Sequence, residues 1–168
     1  MSSRGPLSRL TGDGNWFEDF QVGRRMRHAR GATVDEVEGG YLAKQVMNTA
    51  QAHWNEHFLS GSGSFSPLGT GRVVFGLLTA SMVIGLASQD TAENALAEVA
   101  LDKLRFRAPV FHGDSLTAYT EVLAKRDANR DDAGIVRFKH WGVKHDGTVV
   151  FEGEREVLIK RRSHWAKR

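Results

Sequence analysis

The chain has 168 residues, a formal net charge of +3 and no cysteine. Its length suits one domain, and the lack of cysteine excludes a disulfide scaffold, a thiol nucleophile and a thiolate-bound metal. Basic side chains concentrate near both ends, whereas residues 31–159 carry more acidic than basic groups. A nucleic-acid partner is therefore not expected, because nucleic-acid binders carry a basic face on a folded element.

The two ends of the sequence differ in composition from its middle. Residues 1–14 lack the apolar run of a secretory signal and are predicted to form a flexible arm. The longest apolar stretch, 73–87, is shorter than the ~20 residues that a membrane span needs. We therefore expect a cytoplasmic protein without a membrane partner, with one domain over residues 15–162 and a basic tail over 163–168.

The first half of the domain predicts two helices. Thr33 and Glu36 match a capping box, in which each side chain satisfies a free backbone N–H group of the other, and a helix over about 34–48 should follow. The glycine pair 39–40 weakens this helix. The 73–87 stretch is apolar nearly all round, which is typical of a buried helix. The apolar stripe predicted for the first helix comprises Val34, Val37, Tyr41, Leu42 and Val46.

The second half predicts an antiparallel sheet. After a loop over residues 60–71, apolar alternation predicts a series of strands. The parity of the first of them slips between Leu101 and Leu104, and Asp146-Gly147 between the last two indicates a hairpin. A long buried helix followed by such strands predicts an α+β domain in which a curved sheet wraps the helix. A dimer would hide an open sheet edge. The predicted strands cover residues 99–106, 116–122, 135–144 and 148–160.

Asn48 and His53 are the first candidates for chemistry. Histidine suits proton transfer near neutral pH, and an amide can hold a water or a carbonyl without taking a proton. The spacing alone fits a surface histidine at a helix end as well. His53 and His57 also match His-x-x-Glu-His, which would place two zinc ligands on one face of a helix. The sequence marks no third ligand, and no metal is expected.

Gly76 and Ser81 lie near the start of the predicted buried helix. A glycine there permits close approach of a ligand, and the N–H groups of a helix N-terminus can hold an oxygen that gathers negative charge. The same small residues would also permit close packing of the helix on the sheet. A further segment, 108–114 (APVFHGD), predicts a structural turn in which Asp114 caps backbone N–H groups. His112 in that turn is a weaker candidate for a second catalytic histidine.

Taken together, these segments resemble the MaoC-like (R)-specific enoyl-CoA hydratases of the hotdog-fold superfamily. The match covers about residues 16–160, nearly all of the ordered chain. Where that family has a catalytic Asp, this sequence has Asn48, and this variant resembles a sub-branch that acts on branched or dicarboxylic C4–C5 esters such as mesaconyl-CoA or itaconyl-CoA. The segments that carry the resemblance are 16–23 (WFEDFQVG, similar to the family's opening strand), Asn48-x4-His53 with Phe58, Gly76-x4-Ser81 and 107–116 (RAPVFHGDSL).

The resemblance implies reversible addition of water across the 2,3 double bond of an enoyl thioester. His53 would exchange the protons, and the amide oxygen of Asn48 would orient the water. Backbone N–H groups near Gly76 would hold the thioester oxygen, and Ser81 would hydrogen-bond near it. No cofactor is implied, since CoA is part of the acyl-CoA substrate, and a homodimer or a higher homo-oligomer is expected.

Two substrate contacts and two alternative functions accompany this assignment. Arg72 and Phe75, just before the buried helix, are the predicted substrate-binding residues. A second substrate carboxylate would need a cation, and Arg72 is the first candidate, because an Arg fork binds a carboxylate bidentately. Arg105 and Arg107 are alternatives. Asn48 would also suit an acyl-CoA thioesterase, and the missing Asp would suit an acyl-CoA-binding protein with impaired catalysis.

Overall fold

A five-stranded antiparallel sheet wraps one long helix in this computed structural model. The structure describes residues 14–60 and 71–166. Single 3₁₀ turns occur at Phe17–Asp19 and Gln51–His53. The helices and strands are β1 (Arg25–Thr33), α1 (Glu36–Gln45), α2 (Glu56–Ser60), α3 (Gly76–Thr91), β2 (Ala95–Phe106), β3 (Ser115–Ala128), β4 (Arg130–Lys144), β5 (Val149–Lys160) and α4 (Arg162–Trp165).

The strands lie in the order β1-β3-β4-β5-β2, and every neighbouring pair is antiparallel. Helix α3 packs on the sheet through buried Leu78, Val83 and Ala87. A Cβ at Gly142 of β4 would lie 2.3 Å from Cγ2 of Val83, so a glycine there lets the helix approach the sheet closely. The predicted α+β layout, with a curved sheet around a buried helix, is confirmed.

A row of polar side chains crosses the buried face of the sheet below the C-terminal half of α3. Nδ1 of His28 on β1 lies 2.6 Å from Oδ2 of Asp90, and its Nε2 lies 2.7 Å from Oγ1 of Thr120 on β3. The same Oγ1 lies 2.7 Å from Nδ1 of His140 on β4. On the adjoining strand β5, Arg155 is also buried. Buried polar groups are usually hydrogen-bonded: Thr120 links the two histidines, and Asp90 of α3 meets His28, whereas Nε2 of His140 is buried without a hydrogen-bond partner among the described residues.

Helix α1 begins later than the capping-box prediction placed it. The N-cap is Asp35, whose Oδ1 accepts hydrogen bonds from the N–H groups of Val37 and Glu38. The prediction of Thr33 as the cap was wrong, because the Thr33 hydroxyl lies 2.7 Å from Oγ of Ser115 on β3.

The apolar stripe predicted for α1 was largely wrong as well. Val37, Tyr41 and Val46 are exposed. The face that packs inward is made instead of small residues, the glycine pair 39–40 and Ala43. A Cβ at Gly39 would lie 2.3 Å from Nε2 of His112, so the glycines that weakened the helix prediction are required by its close packing.

The later strands lie where the sequence pattern predicts them, but their bounds differ: β3 continues to Ala128 and β4 begins at Arg130, beyond the predicted 116–122 and 135–144. The opening segment 16–23 is not a strand: it contains a 3₁₀ turn, and β1 begins at Arg25. Strand β2 begins earlier than predicted, at Ala95. The parity slip in β2 is confirmed as an irregularity, because the register with β5 shifts after Asp102 and Lys103 has a φ of 52°.

The two predicted limits of the domain compare differently with the structure. The arm over residues 1–14 lies almost wholly outside the described residues, as does most of the loop over 60–71. The predicted boundary at residue 162 falls inside α4, where Nε1 of Trp165 donates to the carbonyl of Asp132. Across the described part of the chain, the helices are too short or too polar to span a membrane.

Candidate active site

His53 is held by the chain segment that leads into α3. Its Nδ1 lies 2.8 Å from the carbonyl oxygen of Val73, and the N–H of Val73 donates to the carbonyl of Ala52 at 3.1 Å. A carbonyl oxygen can only accept, so Nδ1 carries the proton. In the neutral ring Nε2 is then the basic nitrogen.

His53 and Gly76 line the same cavity, whose volume is about 300 Å³. Gly76 is the first residue of α3, and the first N–H groups of a helix have no partner within it. A Cβ at Gly76 would lie 3.1 Å from the ring of Phe106, which also lines the cavity. This cavity, called here the His53 cavity, therefore combines one imidazole with one helix N-terminus.

Asn48, Phe75 and Ser81 line a different cavity of about 480 Å³. Its lining comes from the C-terminal part of α1 and the residues that follow it, and from the start of α3. Phe75 joins the two regions, because its ring also contacts the His53 ring at a centroid distance of 5.6 Å. The predicted site residues therefore divide between two cavities within this chain.

Local hydrogen bonds engage both Asn48 and Ser81. Oδ1 of Asn48 accepts from the N–H of Ala50 at 2.9 Å, and Oγ of Ser81 donates to the carbonyl of Leu77 at 2.8 Å. The amide of Asn48 therefore presents Nδ2, a donor, more readily than the oxygen that the resemblance assigned to a water.

Arg72 meets carboxylates of this chain. Its guanidinium forms ion pairs with Glu36, the first residue of α1, and with Oε2 of Glu56, the first residue of α2, at 2.9 Å. Arg72 is not among the described residues that line either cavity. The structure therefore does not place the Arg72 side chain in a position to bind a substrate carboxylate, as the sequence interpretation required.

The 108–114 turn has the predicted structural form. Oδ2 of Asp114 accepts from the N–H of Phe111 at 2.8 Å, and Gly113 has a φ of 91°. His112 packs against α1, and burial is the main cause that lowers its pKa, followed by the charge of Arg72. His112 is not among the described residues that line the His53 cavity.

The helix that the zinc interpretation required is interrupted. His53 ends a 3₁₀ turn and His57 lies on α2, with Trp54 and Asn55 between the two elements. Within residues 14–60 and 71–166, no group of three or more potential metal ligands occurs.

Two polar residues that line the His53 cavity were not among the principal site residues predicted from the sequence. Thr79 is buried and lies one helical turn after Gly76, so the helical period could have indicated it. Arg107 follows β2, and its Nε donates to Oε1 of Glu152 at 2.6 Å. Hydrogen bonds from Lys139 and Arg107 lower the pKa of Glu152, so two cations share this one carboxylate.

The family model described as mesaconyl-CoA hydratase matches residues 3–161. The chain belongs to this family. The mesaconyl-CoA hydratase of Haloarcula marismortui is 31% identical over 172 residues, covering 93% of this chain and 45% of that protein. The family assignment agrees with the resemblance carried by the Asn48 and His53 segment.

Comparison with solved structures confirms the fold of this chain. A MaoC domain protein dehydratase from Chloroflexus aurantiacus matches with a TM-score of 0.78 and 28% identity, covering 90% of this chain and 46% of that one. A double hotdog protein from Mycobacterium tuberculosis matches with a TM-score of 0.69 and 20% identity, over 90% of this chain and 46% of that chain. The chain thus has the hotdog fold and spans about half the length of these relatives.

Proposed function

We propose that this chain hydrates the 2,3 double bond of an enoyl-CoA thioester, and catalyses the reverse dehydration. The observation that carries the proposal is the His53 cavity, where a histidine with a basic Nε2 and the N-terminus of α3 face one space. Addition of water to an enoyl thioester needs both a base for the water and a donor for the thioester oxygen. The family membership supports the same reaction.

In the proposed mechanism, Nε2 of His53 takes a proton from water as the oxygen attacks C3. Negative charge then builds on the thioester oxygen, and backbone N–H groups at Gly76 stabilise it. The protonated His53 returns a proton to C2, which completes the addition. The steps need no metal or cofactor, and activity should survive treatment with a chelator.

The acyl group is proposed to be a branched dicarboxylic C5 chain like that of mesaconyl-CoA. The name of the Haloarcula relative supports this substrate. Arg107 is the side chain we propose for its second carboxylate, because it lines the His53 cavity and is half exposed. Its Glu152 partner is shared with Lys139, so pairing with a substrate carboxylate leaves Glu152 an alternative cation.

The proposed roles of Asn48, Phe75 and Ser81 follow from the second cavity. Its lining is mainly apolar, and it adjoins the His53 ring through Phe75. We propose that a part of the acyl-CoA lies along it, with Nδ2 of Asn48 and the Ser81 hydroxyl as its polar contacts.

We also propose that a second copy covers the outer edge of β2. In the described part of the sheet, β2 is an end strand, and its Val99, Leu101 and Phe106 are about half exposed. Open edges of this kind are commonly covered by another chain. Light scattering should give a dimer mass, and Leu101→Lys should reduce it to that of one chain.

The function is tested by incubating the purified protein with crotonyl-CoA, mesaconyl-CoA, itaconyl-CoA and a longer straight-chain enoyl-CoA. We expect loss of the conjugated thioester absorbance and a product heavier by one water. Release of free CoA thiol without a water adduct would instead indicate a thioesterase. Tight binding without any product would indicate an acyl-CoA-binding protein.

A further inference from the structure

Arg72 connects the two helices on either side of His53. It lies in the extended segment before α3, and its side chain is only 19% exposed. Through Glu36 it contacts the start of α1, and through Glu56 the start of α2. A guanidinium suits this position, because its planar fork offers several donors in fixed directions.

The residue after Arg72 contacts the turn that carries His53. The backbone of Val73 donates to Ala52 and accepts from Nδ1 of His53. Residues 72–73 therefore contact the segment from α1 to α2 at four points. Arg72 forms ion pairs with its two ends, at Glu36 and Glu56, and the backbone of Val73 forms two hydrogen bonds to the turn between them.

Helix α1 has few apolar side chains with which to hold itself in place. Val37 and Tyr41 are exposed, and a Cβ at Gly40 would lie 3.5 Å from Nη1 of Arg72, so this helix rests closely on the guanidinium. The Arg72 side chain is largely shielded from water, whereas the Glu36 and Glu56 side chains are about 70% exposed, so each ion pair alone should stabilise only modestly. What distinguishes Arg72 is that one fixed guanidinium contacts the starts of both helices at once.

We propose that Arg72 is a positioning residue for His53. By fixing α1 and α2 against residues 72–73, it keeps the Nδ1–H of His53 on the Val73 carbonyl and leaves Nε2 directed to the cavity. It acts through His53 and does not touch the substrate. The kinetic part of the proposal rests on the proposed hydratase function, whereas the placement of the imidazole proton does not.

The tautomer of His53 provides a test that needs no activity. In protein labelled with ¹⁵N-histidine, the His53 signals are assigned by their loss in His53→Gln. The wild type should show the Nδ1–H form, and Arg72→Gln should shift its signals toward a mixture of the two tautomers. Arg72→Lys, which keeps the charge but loses the fork, should lie between them.

Kinetics supply the second readout. Arg72→Gln should lower kcat by on the order of 10²-fold, as expected for a displaced catalytic group, with KM little changed. The loss should be equal for crotonyl-CoA and mesaconyl-CoA. Arg126→Gln is the matched control, since it removes an exposed ion pair with Glu156 and should leave both tautomer and kcat unchanged.

The double variant Glu36→Gln/Glu56→Gln keeps Arg72 and removes its charged partners. It therefore tests the positioning role of Arg72 even if Arg72→Gln does not fold. It should reproduce both the tautomer mixture and the loss of kcat. An unchanged tautomer in the double variant would overturn the proposal, as would a rise in KM confined to mesaconyl-CoA in Arg72→Gln. If the wild type hydrates no substrate, the proposed function fails, and the tautomer experiment still decides the role of Arg72.

Discussion

The Nδ1–H of His53 donates to the carbonyl oxygen of Val73 at 2.8 Å. This hydrogen bond joins a 3₁₀ turn between two helices to the segment that begins α3. It fixes which ring nitrogen can act as a base, and His53 lines the same cavity as Gly76. A single backbone contact thus links the imidazole to the helix N-terminus that would hold the thioester oxygen.

Replacement of His53 tests its role as the base. His53→Ala should lower kcat for hydration by about 10²–10⁴-fold, the usual contribution of a general base. The measurement is the rate of absorbance loss of mesaconyl-CoA. His57→Ala is the matched control, since His57 is exposed on the neighbouring helix α2. Near wild-type hydration by His53→Ala would exclude His53 as the base.

Selectivity for a dicarboxylic acyl group tests the role of Arg107. Arg107→Ala should reduce kcat/KM for mesaconyl-CoA by about 10-fold or more, the effect expected when a charged hydrogen bond is lost. Crotonyl-CoA, which has no second carboxylate, should be affected much less. Arg105→Ala provides the control, because Arg105 is exposed and donates to the carbonyl of Leu104. Equal losses on both substrates would remove Arg107 from this role.

Acid should destabilise the fold through His140. Burial is the main cause that lowers its pKa to about 3, with the charges of Arg155 and His28 adding to it. The folded state therefore favours the neutral ring. Stability is fully present above the ordinary pKa of 6.5 and is lost as pH falls from 6.5 toward about 3, by ~1.4 kcal/mol per pH unit for one proton.

Urea unfolding as a function of pH measures this loss. His140→Gln should flatten the dependence below pH 6.5, and His145→Gln, in the exposed β4–β5 hairpin, should leave it unchanged. The same slope in wild type and His140→Gln would assign the acid sensitivity to other groups.

Gly142 tests the close approach of α3 to the sheet. Gly142→Ala should lower the free energy of unfolding by about 1–3 kcal/mol, the usual cost of overpacking, because the new Cβ would lie 2.3 Å from Cγ2 of Val83. Gly85→Ala is the opposite case: its Cβ would meet no atom within 4 Å, and α3 should gain about 0.4–1 kcal/mol. Thermal or urea unfolding compares the two variants, and equal effects would contradict the packing argument.

Local patterns in the sequence determined the broad layout of this protein. The alternation of apolar residues predicted most of the sheet, the Asp146-Gly147 pair predicted its last hairpin, and the parity slip before Leu104 predicted the irregularity in β2. Each depends on neighbours within a few residues, which the sequence displays directly. The fold and the family followed from motifs in fixed order along the chain.

The tertiary structure alone decided the pairings between distant residues. Thr33 does not cap α1 as predicted, because its hydroxyl contacts Oγ of Ser115 on β3. Helix α1 packs through Gly39, because the ring of His112 leaves no room there for a larger side chain. The site changed for the same reason. Arg72 pairs with Glu36 and Glu56, and such contacts depend on how helices pack rather than on their spacing in the chain.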